Sequence, residues 1–185
     1  MAENENENGE TKAFSVKKEI FSWIKVILFA LAISFVLNHY VIVSAEVPTG
    51  SMENTVMVGD RIVASRLSYY FHEPQRGDII VFDFPDDESQ TYLKRIIGLP
   101  GETIEIKDGK VYINGSKTPL KENYLKETPV GDYGPYTVPK DSYFMMGDNR
   151  NDSKDSRFWK HTFATRDEII GKAEFRYYPH PKLLR

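Results

Sequence analysis

The stretch ETIEIKDGKVYINGSK, Glu102 to Lys117, is the clearest indicator of the fold class in this chain. Short alternating runs of apolar and polar residues, typical of half-buried strands, lie on both sides of Asp108-Gly109 and before Asn114-Gly115. Asp-Gly and Asn-Gly dipeptides readily adopt the positive φ angles of two-residue turns, so they commonly join antiparallel strands. The stretch therefore predicts antiparallel β-structure.

The same β character extends to segments on both sides of this stretch. Each has a core rich in β-branched and aromatic residues and is bounded by Gly, Pro or Asp. These segments are DRIVASRL (60–67), GDIIVFDF (77–84), YLKRIIG (92–98), DSYFMMGD (141–148) and GKAEFRYYP (171–179). Outside the N-terminal region we expect one short helix, TRDEII (165–170), and a surface excursion at 115–140. The fold class is thus predicted to be mainly β.

The N-terminal region has a different composition. Residues 1–12, MAENENENGETK, have no apolar face to bury, and we expect them to be disordered. The apolar run VILFALAISFVL (26–37) and its neighbours make residues 20–43 long enough to span a bilayer. A cleaved signal peptide is the alternative, because Val43-Ser44-Ala45 is typical of a small-residue cleavage site. We expect an uncleaved anchor, since the apolar character continues past Asn38-His39.

The lysines around this run predict its orientation. Basic residues remain on the cytoplasmic side of a span. None lies between Leu37 and Asp60, whereas four precede or begin the span: Lys12, Lys17, Lys18 and Lys25. We therefore expect a disordered cytoplasmic tail (1–19), one transmembrane anchor (20–43) and an extracytoplasmic β domain (44–185).

Composition excludes several classes of function. With 24 Lys and Arg against 27 Asp and Glu, the chain offers no basic stripe for nucleic acid. It has no cysteine, which excludes disulfides, cysteine nucleophiles and thiolate metal sites. Its four histidines form no HExxH motif, and Arg150 stands at the third position from Asp148, where an EF-hand needs an oxygen ligand. We expect neither a metal nor a cofactor.

One serine raises the question of catalysis. Ser51 lies in EVPTGSMENT (46–55), just past the apolar run, without the G-x-S-x-G pattern of a nucleophile elbow. A Ser-His-Asp triad stays open, because triads assemble in space and not in sequence. Lysine is the other possible base, provided that burial lowers its pKa from about 10.4.

Lys94 is the best candidate for such a lysine. In TYLKRIIGLPG it lies within a strand-like run, with Tyr92 and Ile96 on its face and Leu93 and Ile97 on the other. Both faces are therefore largely apolar. Spacing alone also allows a half-exposed strand in which Lys94 points to water.

A third stretch, MGDNRNDSKDSRFW (146–159), is dense in charged and amide side chains. It suits either a solvated loop or a packed polar network. In the second case we expect Arg150 and Arg157 to pair with Asp148, Asp152 or Asp155.

Taken together, these stretches resemble the bacterial type I signal peptidases, membrane-anchored Ser/Lys proteases that remove signal peptides from exported preproteins. The matching segments occur in the family's order, behind an anchor of the predicted orientation. They are PTGSMENTV (48–56), GDRIVASRL (59–67), RGDIIVFDFP with YLKRIIGLPGE (76–102) and GDNRNDSKDSR (147–157).

The resemblance implies a fold and a set of roles. The domain would consist of antiparallel, coiled β-sheets. Ser51 would be the nucleophile and Lys94 its general base, and the Ser51 N–H with the Thr49 hydroxyl would form the oxyanion hole. Ser153 would hydrogen-bond and orient the Lys94 amine. Further supporting residues would be Asp155, Arg157, Gly147, Asp148 and Asn149. The pockets for small substrate side chains would be built by Val47, Pro48, Met52, Val56, Tyr92 and Leu93.

Three positions depart from the family's pattern. Thr49 replaces a common serine, and its extra methyl group restricts the hydroxyl's rotamers. Asn54 stands where proline is frequent, and RFWKHTF (157–163) lacks a glycine often found after the last motif. None of these departures removes a catalytic group.

The resemblance also implies partners and a location. The substrates would be preproteins cut after small-x-small sites, met near the secretion translocon. The enzyme would lie in the plasma membrane of a bacterium, crossing its lipid once.

Alternatives are a self-cleaving repressor-type protease, which would need a DNA-binding domain, and an anchored β-rich binding module. A sibling molecule could also cut Val43-Ser44-Ala45 in trans.

Overall fold

The computed structural model describes residues 16–184, so the predicted disordered tail lies outside it as far as residue 15. The chain divides into two compact units, residues 1–37 and 38–185. The first contains helix α1, Val16–Val36, whose run free of Gly and Pro favours a helix. The stretch Lys17–Val41 is long and apolar enough to cross a membrane, and none of it is buried. Lipid is the solvent that suits such a surface.

A π-helical segment, Leu37–Val41, follows α1, and the regular elements after it are β-strands, one short α-helix and two 3-10 turns. Ile42 and Val43, the last residues of the predicted anchor, already belong to the first strand. The elements are β1 Ile42–Glu46, β2 Arg61–Ser65, α2 Ser68–Phe71, β3 Ile79–Phe84, β4 Asp87–Gly98, β5 Thr103–Lys107, β6 Lys110–Ile113, β7 Tyr133–Thr137, β8 Ser142–Met146, β9 Ala164–Thr165, β10 Ile169–Tyr178 and β11 Lys182–Leu183.

The strands form two antiparallel sheets, which confirms the predicted fold class. The larger follows the order β1-β2-β10-β3-β4-β8-β9, with β11 beside β10, and the smaller is β6-β5-β7. Buried apolar side chains of both sheets make up three clusters. β1 and β4 border the same groove although three strands separate them in the sheet order. The large sheet is therefore strongly curled.

The turn chemistry explains one hairpin and one prediction that was wrong. Lys107 pairs with Lys110 across Asp108 (φ 49°) and Gly109 (φ 70°), so the predicted β5–β6 hairpin is confirmed. Residues 165–170 are not a helix. Three of them form the turn between β9 and β10, where the Glu168 carboxylate accepts a hydrogen bond from the Thr165 N–H. This hydrogen bond caps a single turn and satisfies the Thr165 N–H, so the segment needs no helix.

Candidate active site

Ser51 lies on a single turn of 3-10 helix, Gly50–Met52, that follows β1. The turn is anchored by apolar side chains on both sides, because Val47, Met52 and Val56 are buried in one cluster. Two backbone hydrogen bonds, from Val47 N to Asp60 O (2.9 Å) and from Gly59 N to Val47 O (2.8 Å), close the loop behind it. The Ser51 hydroxyl is thereby held at the inner wall of the groove.

The Lys94 amine, on β4, meets this hydroxyl in the groove. Its Nζ donates to Ser51 Oγ at 2.7 Å and to the Leu93 carbonyl at 3.2 Å. Only 4% of the Lys94 surface is exposed, so Lys94 does not point to water. Burial lowers the pKa of Lys94 from 10.5 to about 8, although the charges of Asp155 and Asp148 oppose the change. A usable fraction of the amine is therefore neutral near pH 8.

Asp148 connects β4 to the loop that carries Ser51. Its carboxylate accepts hydrogen bonds from Arg95 Nε (2.8 Å) and Nη2 (2.6 Å), and both side chains are almost fully buried. It also accepts a hydrogen bond from the hydroxyl of Thr55, four residues after Ser51. Such a bidentate, charge-assisted pair is among the strongest side-chain contacts. Asp148 thus ties Arg95, the residue beside Lys94, to the loop that carries Ser51.

A second buried ion pair holds the end of the loop formed by residues 147–157. Arg157 Nε and Nη2 each donate to Asp155 at 2.8 Å, and Asp155 also accepts the Gly147 N–H at 3.1 Å. The loop is therefore a packed polar network and not a solvated one. The expected pairing of Arg150 with a neighbouring aspartate was wrong, because its guanidinium pairs with Glu122, a residue of the 115–140 excursion.

The turn of Gly147 and Asn149 lies directly against the backbone of Ser51. A Cβ at Gly147 would lie 2.3 Å from the Ser51 carbonyl oxygen, so no other residue fits there. The Asn149 N–H donates to the Ser51 carbonyl and its Nδ2 to the Gly50 carbonyl, both at 3.0 Å. These contacts fix the orientation of the Ser51 peptide units.

Ser153 and Thr49 do not form the contacts that the resemblance implies. Ser153 is buried, but its Oγ has no hydrogen-bond partner among residues 16–184, Lys94 included. The Lys94 amine is instead directed to Ser51 and to its own strand's carbonyl. Thr49 is exposed, has extended backbone and lines the groove. Its hydroxyl is accessible to a bound substrate.

A groove of about 690 Å³ surrounds the two reacting side chains. Five of the six predicted pocket residues line it: Val47, Pro48, Met52, Tyr92 and Leu93. Val56 does not; it is fully buried beneath Met52 as part of the supporting cluster. Gln90, Asp152 and Lys154 form polar parts of the rim.

The rival chemistries find no support in the part of the chain that the structure describes. The four histidines are exposed and none lines the groove around Ser51, so none is placed to act on the Ser51 hydroxyl. Within residues 16–184 no group of three or more His, Asp or Glu is placed to hold a metal ion.

Sequence reasoning missed three residues of this site: Arg95, Thr55 and Glu122. Each acts through a partner that is distant in sequence, such as Arg95 with Asp148. The only available signal was the alternation in β4, which placed Arg95 on a largely apolar face where a cation needs a buried partner.

Comparisons with known proteins identify the family to which this chain is similar. The family described as "Signal peptidase, peptidase S26" matches residues 20–178. A "Probable signal peptidase I-1" of Synechocystis sp. is 41% identical over 163 residues, covering 84% of this chain and 81% of its own. "Signal peptidase I T" of Bacillus subtilis is 35% identical over 189 residues, covering 97% and 96%. A crystal structure of a signal peptidase I from Enterococcus faecalis is 38% identical, covers 55% of this chain and 97% of its own, and has a TM-score of 0.47.

Proposed function

The chain belongs to the peptidase S26 family and is a signal peptidase I, a serine endopeptidase; from this premise we propose that Ser51 and Lys94 are its catalytic dyad. The reaction is the removal of signal peptides from exported preproteins after small-x-small sites. One observation carries the proposal: a serine hydroxyl and a buried lysine amine lie 2.7 Å apart in the wall of a groove.

Acylation follows from this geometry. The neutral Lys94 amine accepts the proton of Ser51 as Oγ attacks the carbonyl carbon of the scissile peptide. The tetrahedral intermediate collapses, the C–N bond breaks, and the Lys94 ammonium gives its proton to the leaving amine. The mature protein departs with this new N-terminus, and the signal peptide stays as an ester on Ser51.

Deacylation uses the same base. Lys94, neutral again, takes a proton from a water that attacks the ester, and returns it to Ser51 Oγ as the signal peptide leaves. The negative charge of both tetrahedral intermediates needs preorganised donors. We assign these to the Ser51 N–H and the Thr49 hydroxyl. The contacts of Asn149 with the Ser51 and Gly50 carbonyls support this assignment, because they orient the peptide units next to the oxyanion.

Substrate binds as an extended strand along the groove. β1 is the edge of the large sheet, and β4 pairs with β8 only from Arg95 onward, so residues 88–94 keep one open edge among the described strands. Backbone pairing with these edges would align the peptide, and alternate side chains would enter the pockets. Met52 and Leu93 line the groove next to Ser51 and would contact small substrate side chains there.

The supporting roles are proposed on the same basis. Asp155 and Arg157 brace the loop through their buried ion pair, and Gly147 permits its close approach to Ser51. Ser153 orients the Lys94 amine once substrate excludes water. Its buried and unpartnered hydroxyl supports this role, because such a group needs a partner.

The membrane arrangement is also part of the proposal. The enzyme is anchored by its N-terminal helix, with residues 1–19 in the cytoplasm, residues 20–43 in the plasma membrane and residues 44–185 as the extracytoplasmic catalytic domain. Lysines at one end of the helix support this orientation. Contact with lipid and nearness to the secretion translocon follow from where signal peptides emerge.

Mass spectrometry of a model preprotein incubated with the wild type and with each of two variants tests the function. The wild type should release the mature protein with cleavage after a small-x-small site. Ser51→Ala and Lys94→Met should each leave the preprotein intact while keeping the wild-type circular dichroism spectrum. Cleavage by either folded variant would reject the dyad.

A further inference from the structure

Residues 122–130, here named the strap, form no helix or strand, yet they contact both loops of the active site. The strap belongs to the 115–140 excursion, whose composition suggested only a surface role. None of its residues lines the substrate groove. Its contacts therefore serve something other than substrate binding.

The first set of contacts holds the turn that follows the nucleophile. Lys126 Nζ lies 2.6 Å from Glu53 Oε2, two residues after Ser51. Asn54 Nδ2 donates to the backbone carbonyls of Tyr124 (3.0 Å) and Leu125 (3.3 Å). Asn54 has a φ of 87°, which proline cannot adopt because its ring fixes φ near −65°. The turn therefore gains from the strap the restraint that a proline would otherwise provide.

The second set of contacts holds the loop of Asp148 and Arg150. The carboxylate of Glu122 pairs with the Arg150 guanidinium, and both side chains are almost fully buried. The Lys126 N–H lies 3.4 Å from the Asp148 carbonyl, and Asn151 Nδ2 donates to the Thr128 carbonyl at 3.1 Å. A buried ion pair is costly to break from one side, so this end of the strap is firmly attached.

A third contact reaches β4 itself. The ring of Tyr124 lies 4.0 Å from the guanidinium carbon of Arg95, the residue beside Lys94. The Tyr124 hydroxyl donates to Glu122 at 2.8 Å, which fixes the ring on the ion pair. The strap thus joins the three segments whose relative positions set the contact between Ser51 and Lys94.

We propose that the strap is a positioning element that holds the turn after Ser51 and the Asp148 loop against β4, and so keeps the Lys94 amine dry and in contact with the Ser51 hydroxyl. The inference rests on the proposed dyad. Lys126 and Asn54 are its best probes. The Lys126–Glu53 pair is partly exposed, and such pairs contribute little to global stability. Its loss should therefore loosen the site without unfolding the protein.

The experiment compares Lys126→Met and Asn54→Gly with the wild type as full-length proteins in detergent. Glycine keeps the positive φ of residue 54 and removes only the amide contacts. Lys121→Met is the matched control, because Lys121 is exposed, precedes the strap and forms no ion pair with the described residues. Lys126→Arg tests rescue by a side chain that can still pair with Glu53.

Both strap variants should lower kcat for a signal-peptide substrate about tenfold, since small displacements of reacting groups are costly. KM should stay within about twofold, because the strap does not touch substrate. The midpoint of the acidic limb of kcat should move from near 8 toward 10.5 as water reaches Lys94. Residues 50–56 should exchange amide hydrogen faster, and Lys126→Arg should restore kcat, the midpoint and the exchange rate.

Equal kcat, midpoint and exchange in Lys126→Met, Asn54→Gly and Lys121→Met would overturn the positioning role. A fall in kcat that only tracks the unfolded fraction, with an unmoved midpoint, would reduce the strap to ordinary stabilisation and would also overturn it. Failure of the dyad itself looks different. In that case Ser51→Ala or Lys94→Met retains cleavage, while the hydrogen exchange of residues 50–56 still reports whether the strap restrains the turn.

Discussion

At the scale of single residues, the proposed catalysis depends on one buried amine. Lys94 is 4% exposed, and burial lowers its pKa to about 8. No charged partner neutralises it at hydrogen-bond distance among the described residues; its contacts are a hydroxyl and a carbonyl. Burial turns such an amine into a usable base, because the loss of water disfavours its charged form.

The pH dependence of cleavage should show the lowered pKa of Lys94. Because the amine must be neutral to accept the Ser51 proton, kcat/KM should rise about tenfold per pH unit below 8 and level off above it. Initial rates on a signal-peptide substrate between pH 6 and 10, with protein integrity checked at each pH, measure the profile. A midpoint close to 6.5 would indicate a histidine base instead.

Burial of Lys94 should also cost stability. Its pKa is lower in the folded protein than in the unfolded chain, so between pH 8 and 10.5 the unfolded chain binds more protons and stability rises with pH. At pH 7 the full cost is present. Lys94→Met removes it, and the free energy of unfolding should increase by about 3 kcal/mol at pH 7.

Denaturant unfolding of the full-length protein in detergent, at pH 7 and pH 10.5, measures this effect. The gain of Lys94→Met should nearly vanish at the higher pH. Lys110→Met, which removes an exposed lysine, should change stability little at either pH. A Lys94→Met variant less stable than the wild type at pH 7 would contradict the cost of burial.

At the scale of elements, the sequence predicted the strands well because their period and turn residues are local properties. Asp108-Gly109 produced the expected hairpin, and the alternation around Lys94 produced β4. The pairing of Arg95 with Asp148 could not be predicted in this way, because the register between β4 and β8 brings together residues far apart in the chain. The same holds for Glu122 and Arg150, which meet only in the folded domain.

The register of β1 leads to a prediction about self-processing. Val43, Ser44 and Ala45 resemble a cleavage site, but each is paired with a residue of β2. A protease needs its substrate extended and accessible on both sides, and these residues are already part of a ladder. Wild-type enzyme mixed with tagged Ser51→Ala protein should therefore leave the tagged chain uncut after Ala45. Intact-mass measurement checks this, and a product beginning at Glu46 would contradict it.

At the scale of the whole molecule, the anchor and the catalytic unit contribute separate things. The dyad, the groove and the strap all lie within residues 38–185, whereas the first unit supplies the membrane helix. A tether raises the concentration of the site where membrane-bound substrates are found. It contributes nothing to the chemistry of the dyad.

Removal of residues 1–37 should therefore separate the two contributions. The truncated protein should cleave a short soluble peptide with a kcat within about twofold of the full chain. Its cleavage of a preprotein embedded in liposomes should be slower by about a hundredfold, the lower bound of typical tethering effects. Equal losses on both substrates would show that the helix supports the fold of the catalytic unit as well.

Lys94 and Arg95 are neighbours on β4 and point to opposite faces of the sheet. This arrangement limits how the enzyme can evolve. If the strand slipped by one position against β3, the guanidinium would take the place of the amine beside Ser51. A guanidinium never gives up its proton in a protein, so the slipped enzyme would fold around a nucleophile that no group could activate. Insertions that shift the register of this strand are thus closed to it.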